Sequence, residues 1–339
     1  MKRPLVIGAV LLLLALVVVT GCQKVKEPSS ETPQAEQPMP TENLPGGGEN
    51  IAAPTGGGKV VGVTLLTKTH VFYQDLEKGL QEAADKLGYK LAVDSAEFKA
   101  SDQEKQIDNF IVQKVAAIVV CPADSASVGG PIKKANAAGI PVFTADIAAQ
   151  EGDVVCHIAS DNKQGGRKAG EYLAQALGGQ GQIIVIDHPA VTSVQDRVAG
   201  FEEALKKYPK IELVEKPPAE GQRSKARDVA ANKLIEFPQL RGIFGINDDS
   251  ALGALAACEA TKGAEKIVIV GYDATPEARE KIVKGTQLKA DVVQFPVKMG
   301  LTTIETIDKY LRGEKVPKQI PIEVDILDKA KLSREAPKQ

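Results

Sequence analysis

From Val60 onward, short apolar runs alternate with longer segments in which apolar positions recur every three or four residues. The short runs cover 60–66, 90–94, 116–121, 141–145, 182–187, 212–214, 242–246, 266–272 and 288–293. Most are continuous Val, Ile and Leu, the pattern of parallel strands covered on both faces. The longer segments predict helices over 73–87, 103–113, 130–138, 165–177, 194–208, 224–237, 251–261 and 276–284. Glycine closes several of them, as in Leu87-Gly88-Tyr89 and Ala138-Gly139-Ile140, where a helix C-terminus favours it. About four strand-helix units in each half predict a doubly wound α/β fold in duplicate, two parallel-sheet lobes.

In such sheets ligands bind beyond the carboxyl ends of the strands. The residues just after each run therefore become candidates. His70, Phe72 and Tyr73 follow the first run, Cys121 ends the third and Asp146 follows the fourth. In the second half, the run ending at Asp187 leads to Gln195, Asp196 and Arg197; Asn247, Asp273 and Gln294 follow the later runs. Carboxylates and planar amides pair with neighbouring hydroxyls, and an aromatic ring offers its face to the C–H side of a sugar. Asp146, Gln195, Asn247, Asp273 and Gln294, with Phe72 and Tyr73, thus read as a polyol-binding set. Asp249 and Thr275 read instead as helix N-caps. His70 either lines the pocket or faces solvent.

Composition narrows the function. The chain has 339 residues, 43% hydrophobic and 25% charged, enough for about two domains. With 42 Lys+Arg against 44 Asp+Glu it lacks the basic excess of a nucleic-acid binder. His70, His157 and His188 show no metal-ligand spacing, and no Gly-x-Ser-x-Gly elbow exists. Gly178-Gly179-Gln180-Gly181 precedes a strand and has Ile184 where a dinucleotide fingerprint needs glycine, so it reads as a helix end and loop. Cys121, Cys156 and Cys258 sit in or beside apolar runs and read as buried free thiols. No enzyme activity, metal or cofactor is expected.

The first 58 residues differ in kind. Lys2 and Arg3 precede an apolar run over 5–19, a secretory signal pattern and short for a membrane span, which needs about 20 residues; a short transmembrane anchor is the alternative. Val19-Thr20-Gly21-Cys22 resembles a bacterial lipobox, which implies removal of 1–21 and lipidation of Cys22. Residues 23–58 hold six Pro and six Gly and no aromatic, so 22–58 reads as a tether to the membrane. Its end, Gly56-Gly57-Gly58-Lys59-Val60, fails as a phosphate loop because Val60 replaces the required Ser or Thr.

The body, over 59–327, resembles the periplasmic ribose-binding proteins of sugar transporters. The shared stretches are Gly79 through Ala84-Asp85-Lys86-Leu87-Gly88-Tyr89, Ile140-Pro141-Val142, His157-Ile158-Ala159-Ser160-Asp161-Asn162, Asp196-Arg197 with Gly200-Phe201, Asn247-Asp248 with Ala251-Leu252-Gly253-Ala254-Leu255, and Gly271-Tyr272-Asp273-Ala274-Thr275-Pro276. The resemblance implies that His70, Phe72, Tyr73, Asp146, Gln195, Asn247, Asp273 and Gln294 line a sugar site, with Cys121 where relatives often place a polar residue. Ile147 and Gln195 stand where ribose binders carry arginine, and Gly221 replaces an aromatic, so the sugar's identity stays open. Arg197 would support the loop rather than touch ligand.

The resemblance also implies three lobe crossings, with hinge residues Asp161, Asn162, Phe295 and Val324 and a helix over 297–311 returning to the first lobe. The lobes would be 59–160 plus 295–323 and 161–294 plus 324–332, followed by a tail over 333–339. The implied protein is exported, monomeric and lipid-anchored, a periplasmic binding protein type I that delivers a monosaccharide to an ABC transporter permease. A sensory or autoinducer-type binding protein, presenting its closed form to a chemoreceptor or histidine kinase, is the alternative. A transcriptional regulator would need a helix-turn-helix where the tether stands, and an exported enzyme a catalytic dyad in the cleft.

Overall fold

The computed structural model describes residues 56–335; the signal segment, Cys22 and most of the tether lie outside them. Along the chain come β1 (Val60–Leu65), α1 (Val71–Leu87), β2 (Lys90–Ser95), α2 (Ala100–Val112), β3 (Ala117–Val120), α3 (Gly129–Ala137), β4 (Val142–Ala145) and β5 (Val154–Ser160). The second series is α4 (Asn162–Ala176), β6 (Gln180–Ile186), α5 (Thr192–Leu205), β7 (Lys210–Glu215), α6 (Arg223–Glu236), β8 (Leu240–Gly245), α7 (Asp248–Ala260), β9 (Val268–Asp273), α8 (Pro276–Lys284) and β10 (Leu288–Val293). The chain ends with α9 (Pro296–Leu311), β11 (Gln319–Ile322), β12 (Asp325–Asp328) and α10 (Lys329–Glu335).

These strands form two six-stranded sheets, ordered β11-β5-β4-β3-β1-β2 and β12-β10-β9-β8-β6-β7. Every pairing is parallel except β10 with β12. The two-lobed α/β architecture expected from the alternating pattern is thus present. The central strands β3 and β4 are buried along their whole length, as continuous apolar runs require when helices cover both faces.

The chain passes between sheets three times: β5 leads to α4, which packs on β9, β10 and β12; β10 leads to α9, which packs on α1, β4 and β5; and β11 leads directly to β12. Short segments at Asp161, at Gln294–Phe295 and at Glu323–Val324 make these passages.

Close helix contacts set the geometry near the cleft. A Cβ on Gly166 of α4 would stand 1.9 Å from the Arg197 carbonyl oxygen, and one on Gly200 of α5 would stand 2.0 Å from that of Lys163. Only glycine at both positions lets the two backbones approach this closely. That approach fixes where Arg197 emerges.

The structure departs from the sequence reading at β5, β11 and β12 and at both ends of the body. The apolar runs do not include β5 because His157 interrupts it; the imidazole is partly buried and paired, Nδ1 lying 2.8 Å from Thr144 Oγ1 on β4, and desolvation lowers its pKa to about 4. β11 and β12 have four residues each, and β11 carries Pro321, which a sheet accepts at its edge. At the near end, the tether expected to run to 58 stops sooner: Gly56 N donates to Leu87 O (2.6 Å) and Gly58 N to Gly88 O (2.8 Å). At the far end, α10 continues to Glu335, past the 333 where a tail was expected.

Candidate functional site

The carboxyl ends of the two sheets face each other across a cleft, and the lobes touch. Ser125 N donates to Ala190 O (3.1 Å). Thr192 N donates to Ser125 Oγ (3.0 Å), while the Thr192 hydroxyl accepts from Ala148 N (3.0 Å) and donates to Ala148 O (3.1 Å). His70 Nε2 lies 3.4 Å from Asp249 Oδ2. Between these contacts is a small cavity of about 40 Å³.

The first lobe contributes Leu66, His70, Phe72, Tyr73, Phe98, Asp146 and Ile147 to its wall. His70 sits at the N-cap position of α1 without capping it, so its ring is free to turn to the cavity. Phe72 and Tyr73, in the first turn, meet edge to face with centroids 5.2 Å apart. Asp146, just past β4, has φ +64°, an uncommon backbone state for an L residue. Its Oδ2 accepts from Tyr73 Oη at 2.7 Å, and its Oδ1 lies 4.0 Å from Arg197 Nη2 across the cleft. Burial raises the Asp146 pKa against the opposing pull of Arg197 and the Tyr73 hydrogen bond.

The second lobe contributes His188, Val191, Ser193, Val194, Arg197, Gly221, Ile246, Asn247, Asp273 and Gln294. Asn247 caps α7, its Oδ1 accepting from Ser250 N at 2.9 Å, and its Nδ2 donates to Gly221 O at 3.1 Å. Asp273 Oδ1 accepts from Gln294 Nε2 at 2.7 Å; burial first, then the charge of Asp248, pushes Asp273 well above the usual carboxyl range. Arg197 donates through Nε to Asn162 Oδ1 and through Nη1 to Ile246 O, each at 2.8 Å, with its guanidinium 3.9 Å above the Tyr272 ring. Among the described residues no donor reaches the buried Asp146 Oδ1 or Gln294 Oε1. Two residues of the cavity wall thus each carry an acceptor without a protein partner, where buried polar atoms ordinarily have one.

Seven of the nine residues singled out in the sequence share this wall: His70, Phe72, Tyr73, Asp146, Asn247, Asp273 and Gln294. Cys121 and Gln195 do not. Cys121 is fully buried behind the wall, where desolvation and the Asp146 charge raise its thiol pKa well above the usual range. Gln195 lies on the exposed face of α5 and donates to Pro189 O at 2.8 Å; the helix turns Ser193, Val194 and Arg197 inward instead. Arg197 braces its surroundings, as expected, and also lines the cavity. Thr275 caps α8 as expected, but the cap of α7 is Asn247, leaving Asp249 to pair with Arg223 at 2.7 Å and with His70.

The sequence reading missed His188 and Phe98 as wall residues. Both follow strand ends, β6 and β2, so the strand-end rule reaches them. Burial lowers the His188 pKa to about 4, which leaves the imidazole neutral near pH 7. A side chain on Gly221, at φ +66°, would meet Asn247 Nδ2 at 3.1 Å and His188 Nδ1 at 3.8 Å. His188 and Asn247 thus border the space that a larger residue at 221 would enter.

Residues 61–315 match the periplasmic binding protein domain. The chain belongs to the periplasmic binding protein family. The ribose import binding protein of Salmonella typhimurium is 36% identical over 270 residues, covering 79% of this chain and 90% of that protein. Among solved structures, a solute binding protein of an ABC transporter from Mycobacterium smegmatis, with bound glycerol, superposes with a TM-score of 0.78 at 29% identity, covering 84% of this chain and 98% of that one. One from Agrobacterium vitis, bound with alpha-D-tagatopyranose, gives a TM-score of 0.78 at 27% identity, covering 82% and 97%. This periplasmic binding protein is of the ribose-binding-protein-like, sugar-binding kind, a family of substrate-binding proteins and not of enzymes.

Proposed function

We propose that this protein is the lipid-anchored sugar-binding component of an ABC importer, capturing one uncharged monosaccharide between its lobes. The observation that carries the reading is the cavity itself: the two lobes present buried acceptors to one space, beside the Phe72 and Tyr73 rings. Asp146, Asn247, Asp273 and Gln294 would bind hydroxyls, with Arg197 as a charged donor, and Phe72 and Tyr73 would cover the apolar face of the ring. His70 and His188 add neutral polar edges.

Ile147 places an alkyl side chain where the ribose binders it resembles carry arginine. That favours a ligand whose edge there is a C–H or methyl surface over one with a further hydroxyl. The passages at Asp161, Asn162, Phe295 and Val324 would act as the hinge, so that only the closed form touches ligand from both sides. The named relatives are import and transporter proteins, so the sensory alternative is not favoured.

A thermal-shift screen of the mature protein against pentoses, hexoses and cyclitols tests the reading, because a ligand that binds only the folded state raises its melting temperature. At least one sugar should raise it by several degrees at a hundredfold excess over its Kd. No shift from any of them would overturn the monosaccharide assignment. The anchor rests on the lipobox-like junction at Cys22: Cys22→Ala should move the protein from the membrane fraction to the soluble one, and equal partitioning of both forms would refute lipidation there.

A further inference from the structure

Three carboxyl groups crowd the carboxyl end of the second sheet. Asp248 opens α7, Asp273 closes β9 and Asp291 lies within β10. Only Asp273 reaches this cavity's wall; Asp291 is fully buried, and Asp248, nearly so, borders a neighbouring pocket.

The two hidden carboxyls grip the turn that carries the third. Asp291 Oδ1 accepts from Ala274 N at 2.9 Å, and Asp248 Oδ2 accepts from Thr275 N at 2.7 Å. That turn runs through φ +119° at Asp273 and +55° at Ala274, a region L residues rarely occupy unless their surroundings hold them there. Two consecutive amide bonds to buried carboxyls supply that hold.

Their remaining oxygens pose a chemical problem. Asp248 Oδ1 and Asp291 Oδ2 are buried, with no donor among the described residues. The two side chains lie within hydrogen-bonding reach of each other. Both also stand over Gly271, where a Cβ would come within 3.1 Å of Asp248 Oδ1 and 2.3 Å of Asp291 Oδ2. An ionised carboxylate only accepts, so two of them cannot bond, and like charges this close in a buried site do not both ionise.

Nearby cations are engaged elsewhere. Arg197 of α5 is held by Asn162 and Ile246, and Arg223 of α6 pairs with Asp249 and Glu277. Arg279 of α8 donates to Ala274 O, and Lys168 of α4 pairs with Asp325 of β12.

We propose that Asp248 and Asp291 share one proton at neutral pH, and that this bridged pair clamps the 273–275 turn so that Asp273 faces the cavity. Burial and the charge of Asp248 push Asp291 well above the usual carboxyl range, and burial raises Asp248 as well. The clamp's bearing on ligand rests on the sugar-binding reading; the proton does not.

The sign of the pH effect follows from linkage. The native state holds a proton that the unfolded chain releases near the ordinary carboxyl range. Stability from the pair is therefore present at low pH and lost as pH rises toward the raised native value, by up to tenfold in the unfolding constant per pH unit.

The test uses ligand-free protein. Asp291→Asn supplies a permanent N–H to Asp248 and keeps an oxygen for Ala274 N. Urea unfolding from pH 5.5 to 8.5 should show a wild-type pH slope steeper than that of Asp291→Asn by up to one proton. Infrared spectra at pH 7 should show a protonated-carboxyl band in wild type that is weaker in this variant. Hydrogen exchange at Ala274 and Thr275 should stay protected in Asp291→Asn and become fast in Asp291→Ala. Parallel pH slopes, or a carboxyl band of undiminished intensity in Asp291→Asn, would place the proton elsewhere and overturn the proposal. Asp248→Asn repeats the test from the other partner. Failure of both isosteric amides to fold would also count against it, since an amide donor should replace a shared proton. None of these readouts needs a sugar, so the proposal can fail while the sugar reading stands, and the reverse.

Discussion

Asp146 shows how a single side chain joins backbone, burial and recognition. Its left-handed φ turns the carboxyl back from the end of β4 into the cleft, where Tyr73 Oη holds one oxygen and Arg197 approaches the other. Burial raises its pKa, so its charge opposes folding; in the proposed site that charge would serve a hydroxylic guest. Asp146→Asn keeps the shape and an acceptor for Tyr73 but removes the charge. Charge-assisted hydrogen bonds are worth roughly twice neutral ones, so calorimetry should show about tenfold weaker sugar binding. The melting temperature should hold or rise, because a desolvated charge has gone. Unchanged affinity would remove Asp146 from the ligand's contacts. Asp146, Asn247, Asp273 and Gln294 were all legible in the sequence because each lies just past an apolar run, and topology places such residues at the cleft. Gln195 and Arg197 were harder to separate, being two positions apart on a helix whose phase decides which turns inward. Cys121 holds the same first position past β3 that Asp146 holds past β4, but its side chain is wholly buried and does not reach the cavity wall.

Among elements, legibility followed how completely one period dominated. β3 and β4 are buried throughout and read plainly as strands. α1 buries Phe72, Tyr73, Leu76, Leu80, Ala83 and Ala84 on one face and stops at Gly88, whose φ of +76° forms a left-handed C-terminus. β5 was obscured by His157, a polar residue made acceptable only by Thr144 on the adjacent strand, a long-range fact that no local window contains. β11 and β12 are short and partly exposed, so neither continuous burial nor regular alternation marks them; only the family resemblance pointed to chain crossings there. The α4–α5 contact was visible as glycines but not as a contact, because Gly166 and Gly200 acquire meaning only when their helices pair.

At the scale of the whole molecule, the cavity exists because the lobes are together; Asp146 and Arg197 approach each other across it, and further polar contacts join the lobes beside it. Thr192 is the centre of one such cluster: its hydroxyl both accepts from and donates to the Ala148 backbone across the cleft, and it is not part of the cavity wall. Opening at the proposed hinge would break these bonds and return Ala148 to water. Thr192→Val keeps the side chain's shape but leaves the Ala148 N–H and C=O without those partners in the closed form, a penalty of about 1–3 kcal/mol. The penalty falls on the closed state alone. Since apparent affinity scales with the population able to close, sugar binding should weaken roughly 5- to 150-fold at that penalty although every wall residue is unchanged. The ligand-free melting temperature should stay near that of wild type, because the open form never made the contacts. Calorimetry and thermal melting together separate this from a folding defect. Equal affinity in the two proteins would mean that closure does not depend on the Thr192 bridge, whereas an equal loss of affinity and of ligand-free stability would mean that the bridge supports the fold rather than the clasp.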